Sequence, residues 1–297
     1  MSYGKIYETT DWGDPIENGW GGVYYNLASS GLTGFVFDID TTGGSSNTQF
    51  TLPLSGAGTT NILVDWGDGN TDTITSASQA EKLHTFSTRG NYTITITGTL
   101  ETFLVNNYAD KDKIKEIKNW GNGNGLTLAS NSGSFFYGAS NVTVTATDQP
   151  TITTTNFQQL FRSASSIVSG VGNFDVSSVT NLIFAFYQAS NFNEDLSSWD
   201  VSNVTNFNFC FEASSIDQNF AAWDMTSATS VRRMFRSTTL STANYDATLI
   251  GWAAQNVNSG LDMDFGNAQY TGGGAAADAR TYLIEEKSWT ITDGGAV

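Results

Sequence analysis

Phe192-Asn193-Glu194-Asp195-Leu196-Ser197-Ser198-Trp199-Asp200-Val201-Ser202-Asn203-Val204-Thr205-Asn206 is the stretch whose reading decides the fold. Its pieces recur on both sides. Thr155-Asn156-Phe157, Thr180-Asn181-Leu182 and Thr205-Asn206-Phe207 lie 25 residues apart, and Thr229-Ser230-Val231 continues them. Asp175-Val176-Ser177, Asp200-Val201-Ser202 and Asp224-Met225-Thr226 form a second series, preceded by Phe174, Trp199 and Trp223. A third series, Phe136, Phe161, Phe186, Cys210 and Phe235, is spaced 25, 25, 24 and 25. Ala139, Ala164, Ala189, Ala213 and Thr238 follow it three residues on.

A fixed period in this range points to a solenoid. One repeat is one coil, too small to bury its own apolar face, and stacking sets like residues above like. Phe136, Phe161, Phe186, Cys210 and Phe235 are therefore expected to form a core ladder. Asn156, Asn181 and Asn206 are expected to form an asparagine ladder that bonds the backbone of neighbouring coils. The 192–206 stretch resembles the bacterial surface protein repeat, a leucine-rich-type repeat often termed BspA-like. Copies at 136–160 and 210–234 are degenerate, as fits the ends of a stack. The resemblance implies a solenoid over 119–242.

Residues 243–297 are similar to the tail that closes such arrays and carry helical signals near 243–254 and 275–286. They read as a small α/β C-terminal cap. Upstream, residues 35–118 read as β. Phe35–Asp40, Gln49–Leu52, Ile62–Trp66 and Tyr92–Ile96 are short runs bounded by Gly, Asn and Ser, the pattern of an all-β sandwich. Trp66-Gly67-Asp68-Gly69, then His84-Thr85-Phe86 and Gly90-Asn91-Tyr92-Thr93-Ile94, resemble a PKD-type domain of immunoglobulin-like fold. That resemblance implies framework roles for Trp66, His84 and Tyr92. The fold class expected is mainly β: an immunoglobulin/PKD-like β-sandwich, a leucine-rich-type repeat solenoid and the cap.

Residues 1–34 stand apart. Tyr3, Tyr7, Trp12, Trp20, Tyr24 and Tyr25 lie among glycines with neither helical nor strand period. Such rings supply large contact area at low rotamer cost. The segment is either a strap on its own domain or an arm docked on a neighbour; the arm is the expectation taken here.

Composition narrows the function. Charged residues are 14% of the 297-residue chain and the net charge is −16. Phosphate backbones and anionic membranes repel such a protein, so no nucleic-acid partner and no membrane insertion are expected. One histidine and one cysteine leave little material for a zinc site or for nucleophilic hydrolysis. Glu194 and Asp195 are adjacent, so in extended chain they point to opposite faces rather than forming an acid pair. Asp65, Asp68 and Asp72 do not match a calcium loop. Lys111, Lys113, Lys115 and Lys118 alternate with acids and read as a solvated face, and Arg232, Arg233 and Arg236 as structural pairs. No cofactor, metal or catalytic residue is expected.

The composition suits a protein outside the cell, yet the N-terminal residues contain no apolar export segment. A tailed-phage virion reconciles the two, because its proteins assemble in the cytoplasm and leave by lysis. The opening Met1-Ser2-Tyr3-Gly4-Lys5-Ile6-Tyr7-Glu8-Thr9-Thr10, with Trp12-Gly13 and Gly19-Trp20-Gly21, resembles structural proteins of tailed phages. The expected function is a non-enzymatic fibre, decoration or receptor-binding element. Other virion proteins would be its partners through residues 1–34, with a host surface glycan or protein, or a second copy of the chain, beyond them. A bacterial cell-surface adhesin is the second reading and a carbohydrate-active enzyme the third.

Overall fold

The computed structural model describes residues 33–42, 48–55 and 58–297, together with the backbone of two short strands, β1 (Ile16–Glu17) and β2 (Val23–Tyr24). The chain divides into two units, residues 1–32 and 33–297. In the first, β1 and β2 pair antiparallel. Tyr3, Tyr7, Trp12, Trp20 and Tyr25 lie outside the described residues, as does the side chain of Tyr24.

The second unit is mainly β. Its strands are β3 (Phe35–Asp40), β4 (Gln49–Thr51), β5 (Thr60–Asp65), β6 (Thr71–Ile74), β7 (Leu83–Thr85), β8 (Asn91–Leu100), β9 (Ile114–Asn119), β10 (Thr127–Leu128), β11 (Thr143–Val144) and β12 (Thr151–Ile152). One six-stranded sheet runs in the order β11-β9-β3-β8-β5-β6. The alternation Thr60, Ile62, Val64 inward and Asn61, Leu63, Asp65 outward shows why this run is a strand with one dry face. β4 and β7 pair separately, and Phe50 of β4 meets Phe37 of β3 at 6.1 Å between ring centroids.

The lysine run lies on and beside β9. Lys118 pairs with Asp38 at 2.6 Å and Lys115 with Asp40 at 4.0 Å, while Lys113 is buried and pairs with Asp110 at 2.6 Å. The series is thus partly internal rather than wholly solvated, because the Lys113 ammonium also donates to the Gln49 carbonyl.

The repeats grow directly from this sheet. The edge strand β11 pairs in parallel with β9, and Val105 and Asn107 N–H donate to the carbonyls of Phe135 and Tyr137. β10 pairs in parallel with β12, and bridges Asn156↔Asn181, Asn181↔Asn206 and Asn206↔Ser230 carry the parallel pairing onward. Apolar residues of the sheet and of the coils form one continuous core. Trp120 couples them, with Phe35 stacked at 6.1 Å and Phe136 edge-on at 5.7 Å.

The stack ends in α1 (Thr242–Ala253), β13 (Asp262–Asp264), α2 (Ala275–Glu285) and β14 (Thr290–Thr292), with β13 and β14 parallel. Both helices fall where the sequence signals placed them. Phe265 covers the last ladder ring, Phe235, at 5.5 Å. Tyr245 donates to Asp293, which also pairs with Arg280 at 2.7 Å. Burial and the adjacent Asp293 carboxylate push the Tyr245 phenol far above its ordinary range, so it stays a donor.

Candidate functional site: two aromatic columns in the repeat stack

Each coil turns on itself with buried and outward positions in fixed order. Phe157, Leu160, Phe161 and Ala164 point in, while Gln158, Gln159, Arg162 and Ser163 are only partly buried. The next coils repeat this with Leu182, Ala185, Phe186 and Ala189, then Phe207, Cys210, Phe211 and Ser214.

The inward ring column is Phe136–Phe161–Phe186–Phe211–Phe235–Phe265, stacked at 5.1, 6.1, 5.6, 5.6 and 5.5 Å. It departs from the expected ladder at one rung. Phe211 occupies the slot, and Cys210 sits in the neighbouring row with Ala185, whose backbone accepts from Phe161 as Cys210 accepts from Phe186. The 24-residue coil therefore follows Phe211 rather than Phe186, and Ser214, not Ala213, continues the small-residue row. Cys210 is still fully buried, and burial pushes its thiol well above the ordinary range, which makes it unreactive.

The asparagines stack, but they do more within a coil than between coils. Oδ1 of Asn156, Asn181 and Asn206 accepts from the N–H two residues on, at Gln158, Ile183 and Asn208. Asn156 Nδ2 reaches the Asn131 carbonyl, and Asn181 Nδ2 reaches Asn156 Oδ1 at 3.1 Å. Stronger ties between coils come from tryptophans. Trp199, Trp223 and Trp252 donate their indole N–H to the carbonyls of Val171, Leu196 and Phe220 at 3.0, 2.9 and 2.8 Å.

The repeat carboxylates are occupied structurally. Asp175, Asp200 and Asp224 accept from Ser177, Ser202 and Thr226, closing side-chain turns. Hydrogen bonds from Ser177 and Ser202 hold Asp175 and Asp200 below the usual carboxylate range. Glu194 accepts from Val171 N–H at 2.8 Å and Asp195 from Ser197 N–H at 2.8 Å, the latter bond holding Asp195 low. These two acids border an open groove with Asp175 and Phe174.

In the sheet region, Trp66 is buried and stacks on His84 at 4.6 Å, while Phe86 stacks on Tyr92 at 3.9 Å. Trp66 Nε1 donates to Asp72 and His84 Nε2 meets Asp68 at 2.8 Å. Burial raises the Asp68 carboxyl, but the bonds from His84 and Asn70 outweigh it and hold the group below its ordinary value. Gly67 has φ +74°, and a Cβ there would lie 2.5 Å from the Thr93 carbonyl, so the tryptophan turn requires glycine.

A second, outward column was not foreseen. It runs Tyr137–Arg162–Phe184–Phe209–Arg233 across successive coils. The Arg162 guanidinium lies 4.9 Å from the Tyr137 ring centroid, 5.0 Å from Phe184 and 5.3 Å from Tyr187. Phe184 stacks on Phe209 at 4.6 Å, and Arg233 covers Phe209 at 5.2 Å. Arg233 is tied to Glu212 at 2.6 Å, so one of the three clustered arginines is a structural pair. Arg232 and Arg236 are exposed, and neither they nor Arg162 form an ion pair with a described residue.

Two features bear on this column. Phe184 and Phe209, at φ of 57° and 59°, occupy a position that is left-handed in every coil, shared by Ser134, Gln159 and Arg233, and this conformation costs a residue with a Cβ about 1–2 kcal/mol. Arg162 Nε, Arg233 Nε and Glu212 Oε2 are also buried without a hydrogen-bond partner among the described residues. Buried polar atoms are normally satisfied, so three orphans on one face stand out. The sequence signal was present as Phe184-Ala185-Phe186 and Phe209-Cys210-Phe211, two rings per coil of which the core needs one.

Fold and face together define a mainly β repeat protein that presents an aromatic–arginine stripe. Residues 131–270 match a family described as "Mycoplasma protein of unknown function, DUF285". The match covers the coils and part of the closing segment, and it agrees with the bacterial-surface-repeat resemblance. No curated protein and no solved structure matches the chain.

Proposed function

We propose that this protein is a non-enzymatic display and binding protein of the tailed-phage virion. In this reading residues 35–118 are an immunoglobulin/PKD-like sandwich, residues 119–242 are a leucine-rich-type solenoid, and residues 1–34 anchor the chain to the particle. The observation that carries a binding role is the outward column. Phe184 and Phe209 are half-buried, Arg162 has no carboxylate partner among the described residues, and two rings per coil are more than the core needs. Asp175, Asp195, Asp200 and Asp224, by contrast, close side-chain turns and Glu194 holds the backbone of the preceding coil, structural roles that support a non-enzymatic reading.

The bacterial adhesin is the second reading, favoured by the match of residues 131–270 to the mycoplasma family. Mass spectrometry of purified particles and of cell envelopes separates the two. Truncation of residues 1–34 should leave the remaining chain folded, since residues 33–297 are one unit, and should abolish incorporation into particles. Normal incorporation of the truncated chain would remove the anchoring role. Labelled full-length protein should bind intact bacterial cells, and absence of any such binding would remove the receptor-binding role.

A further inference from the structure

The faces of Phe184 and Phe209 are already used, against each other and against Arg162 and Arg233. Only ring edges are left to meet a ligand, and aromatic edges are electropositive. The guanidinium of Arg162 stands against Phe184, and the exposed Arg232 and Arg236 lie on the coil whose carbonyls accept from Phe209 and Ala213 N–H. Tyr137 and Tyr187 are half-buried, and neither phenol hydroxyl bonds a described residue. The stripe is therefore locally cationic and rich in donors, on a chain of net charge −16.

That contrast selects an occupant. A guanidinium held between rings is oriented before binding and offers paired N–H donors to a carboxylate or sulfate. The rings also exclude water around it, which strengthens the attraction. A densely charged polyanion would meet repulsion from a chain whose net charge is −16. A polyhydroxylated chain with spaced anionic groups would meet less of it, and its hydroxyls match the phenols of Tyr137 and Tyr187. We infer that the Tyr137–Arg162–Phe184–Phe209–Arg233 stripe binds an anionic glycan whose acid groups are separated by neutral sugars. This rests on the display reading and names the ligand class of the same face.

The test uses the full-length chain and hyaluronan oligosaccharides, in which every second sugar bears a carboxylate. Carboxyl-reduced hyaluronan, lightly sulfated dextran, plain dextran and single-stranded DNA are titrated alongside. Hyaluronan should bind in a salt-sensitive manner. Affinity should fall at least tenfold on carboxyl reduction and at least tenfold in Arg162→Gln. Binding of sulfated dextran as well would support an oxyanion of either kind, and its failure beside bound hyaluronan would support a carboxylate. Equal binding by Arg162→Gln, preference for either neutral polymer, or preference for DNA overturns the inference. Melting curves verify that Arg162→Gln is folded, Arg236→Gln at an exposed position is a second variant, and the carboxyl-reduced ligand needs no variant. Cell binding without hyaluronan or sulfated-dextran binding overturns this inference alone, whereas loss of both overturns the receptor-binding role too.

Discussion

Two columns of aromatic residues climb the same coils one or two residues apart in sequence, and they obey different physics. The inner column, Phe136 to Phe265, is dry: every ring is fully buried and the spacing stays between 5.1 and 6.1 Å. The outer column interrupts its rings with arginines, sits in left-handed backbone and leaves polar atoms unpaired. A repeat that only had to stack would need the first column and would place small polar residues in the second. Ser134 and Gln159 occupy the equivalent left-handed positions in the first two coils, at φ 56° and 60°. The difference between the columns separates what holds the stack from what the stack holds out.

The largest expected effect is on the inner column. Phe211→Ala should cost about 3–5 kcal/mol, as for other large core truncations. Phe186→Ala should fall in the same range, since its ring stacks on Phe161 and Phe211 and packs against Phe192 at 4.1 Å. Chemical denaturation monitored by tryptophan fluorescence reads both. A loss below 1 kcal/mol at Phe211 would erase the distinction between the columns.

The sheet region supplies the next effect. Asp68 is depressed in the folded state, so the stabilisation it contributes is complete above its unfolded pKa and disappears as pH falls through the folded value. Stability should drop below about pH 4, the ordinary carboxylate range. Asp68→Asn should cost about 1.5–3 kcal/mol at neutral pH, the worth of a hydrogen bond to a charged group, and should flatten that acid-side fall. Melting temperature against pH for both proteins checks the sign. An unchanged acid limb in the variant would remove the Asp68–His84 contact from the stability of this region.

Cys210 comes third. Its row contains Ala185, so the site tolerates a small side chain, and Cys210→Ala should cost roughly 1 kcal/mol, near the value of one buried methylene-sized group. Thiol labelling should be undetectable in the folded chain and complete on unfolding. Rapid labelling of native protein would place Cys210 outside the core.

The legible part of the fold was the part written by period. Spacing alone pointed to the stack and to most of the inner column, because a stacked coil must repeat its buried positions. It slipped at Cys210 because shortening a coil by one residue looks the same wherever the deletion falls, and only packing fixes it after Phe211. The direct growth of the coils from β9 was not legible. Parallel pairing between β9 and β11 joins residues without sequence likeness, such as Glu116 and Thr143. The outer column was missed for a different reason. Phe184 and Phe209 look like core residues by composition, and nothing in a side chain's identity announces that its backbone is left-handed.

The smallest effect is the sharpest separator of the columns. Phe209 combines a ring stacked on Phe184 with a φ of 59°, so its substitutions trade packing against strain. Phe209→Ala removes the ring and keeps the strain. Phe209→Gly removes both, because glycine enters the left-handed region without penalty. Exposed aromatic pairs and cation–π contacts are each worth about 0.5–1.5 kcal/mol, and the relief at glycine is about 1–2 kcal/mol. Phe209→Gly should therefore unfold within about 1 kcal/mol of the parent, while Phe209→Ala should be the less stable of the two by about 1 kcal/mol. Denaturant midpoints at equal slope give both numbers. If Phe209→Gly instead loses as much as Phe211→Ala, the outer ring belongs to the core, and its strained backbone is maintained for packing rather than for a ligand. If stability holds, the left-handed turn belongs to the repeat while the ring placed on it does not serve the stack, and the ring has to be explained by what it meets outside the chain.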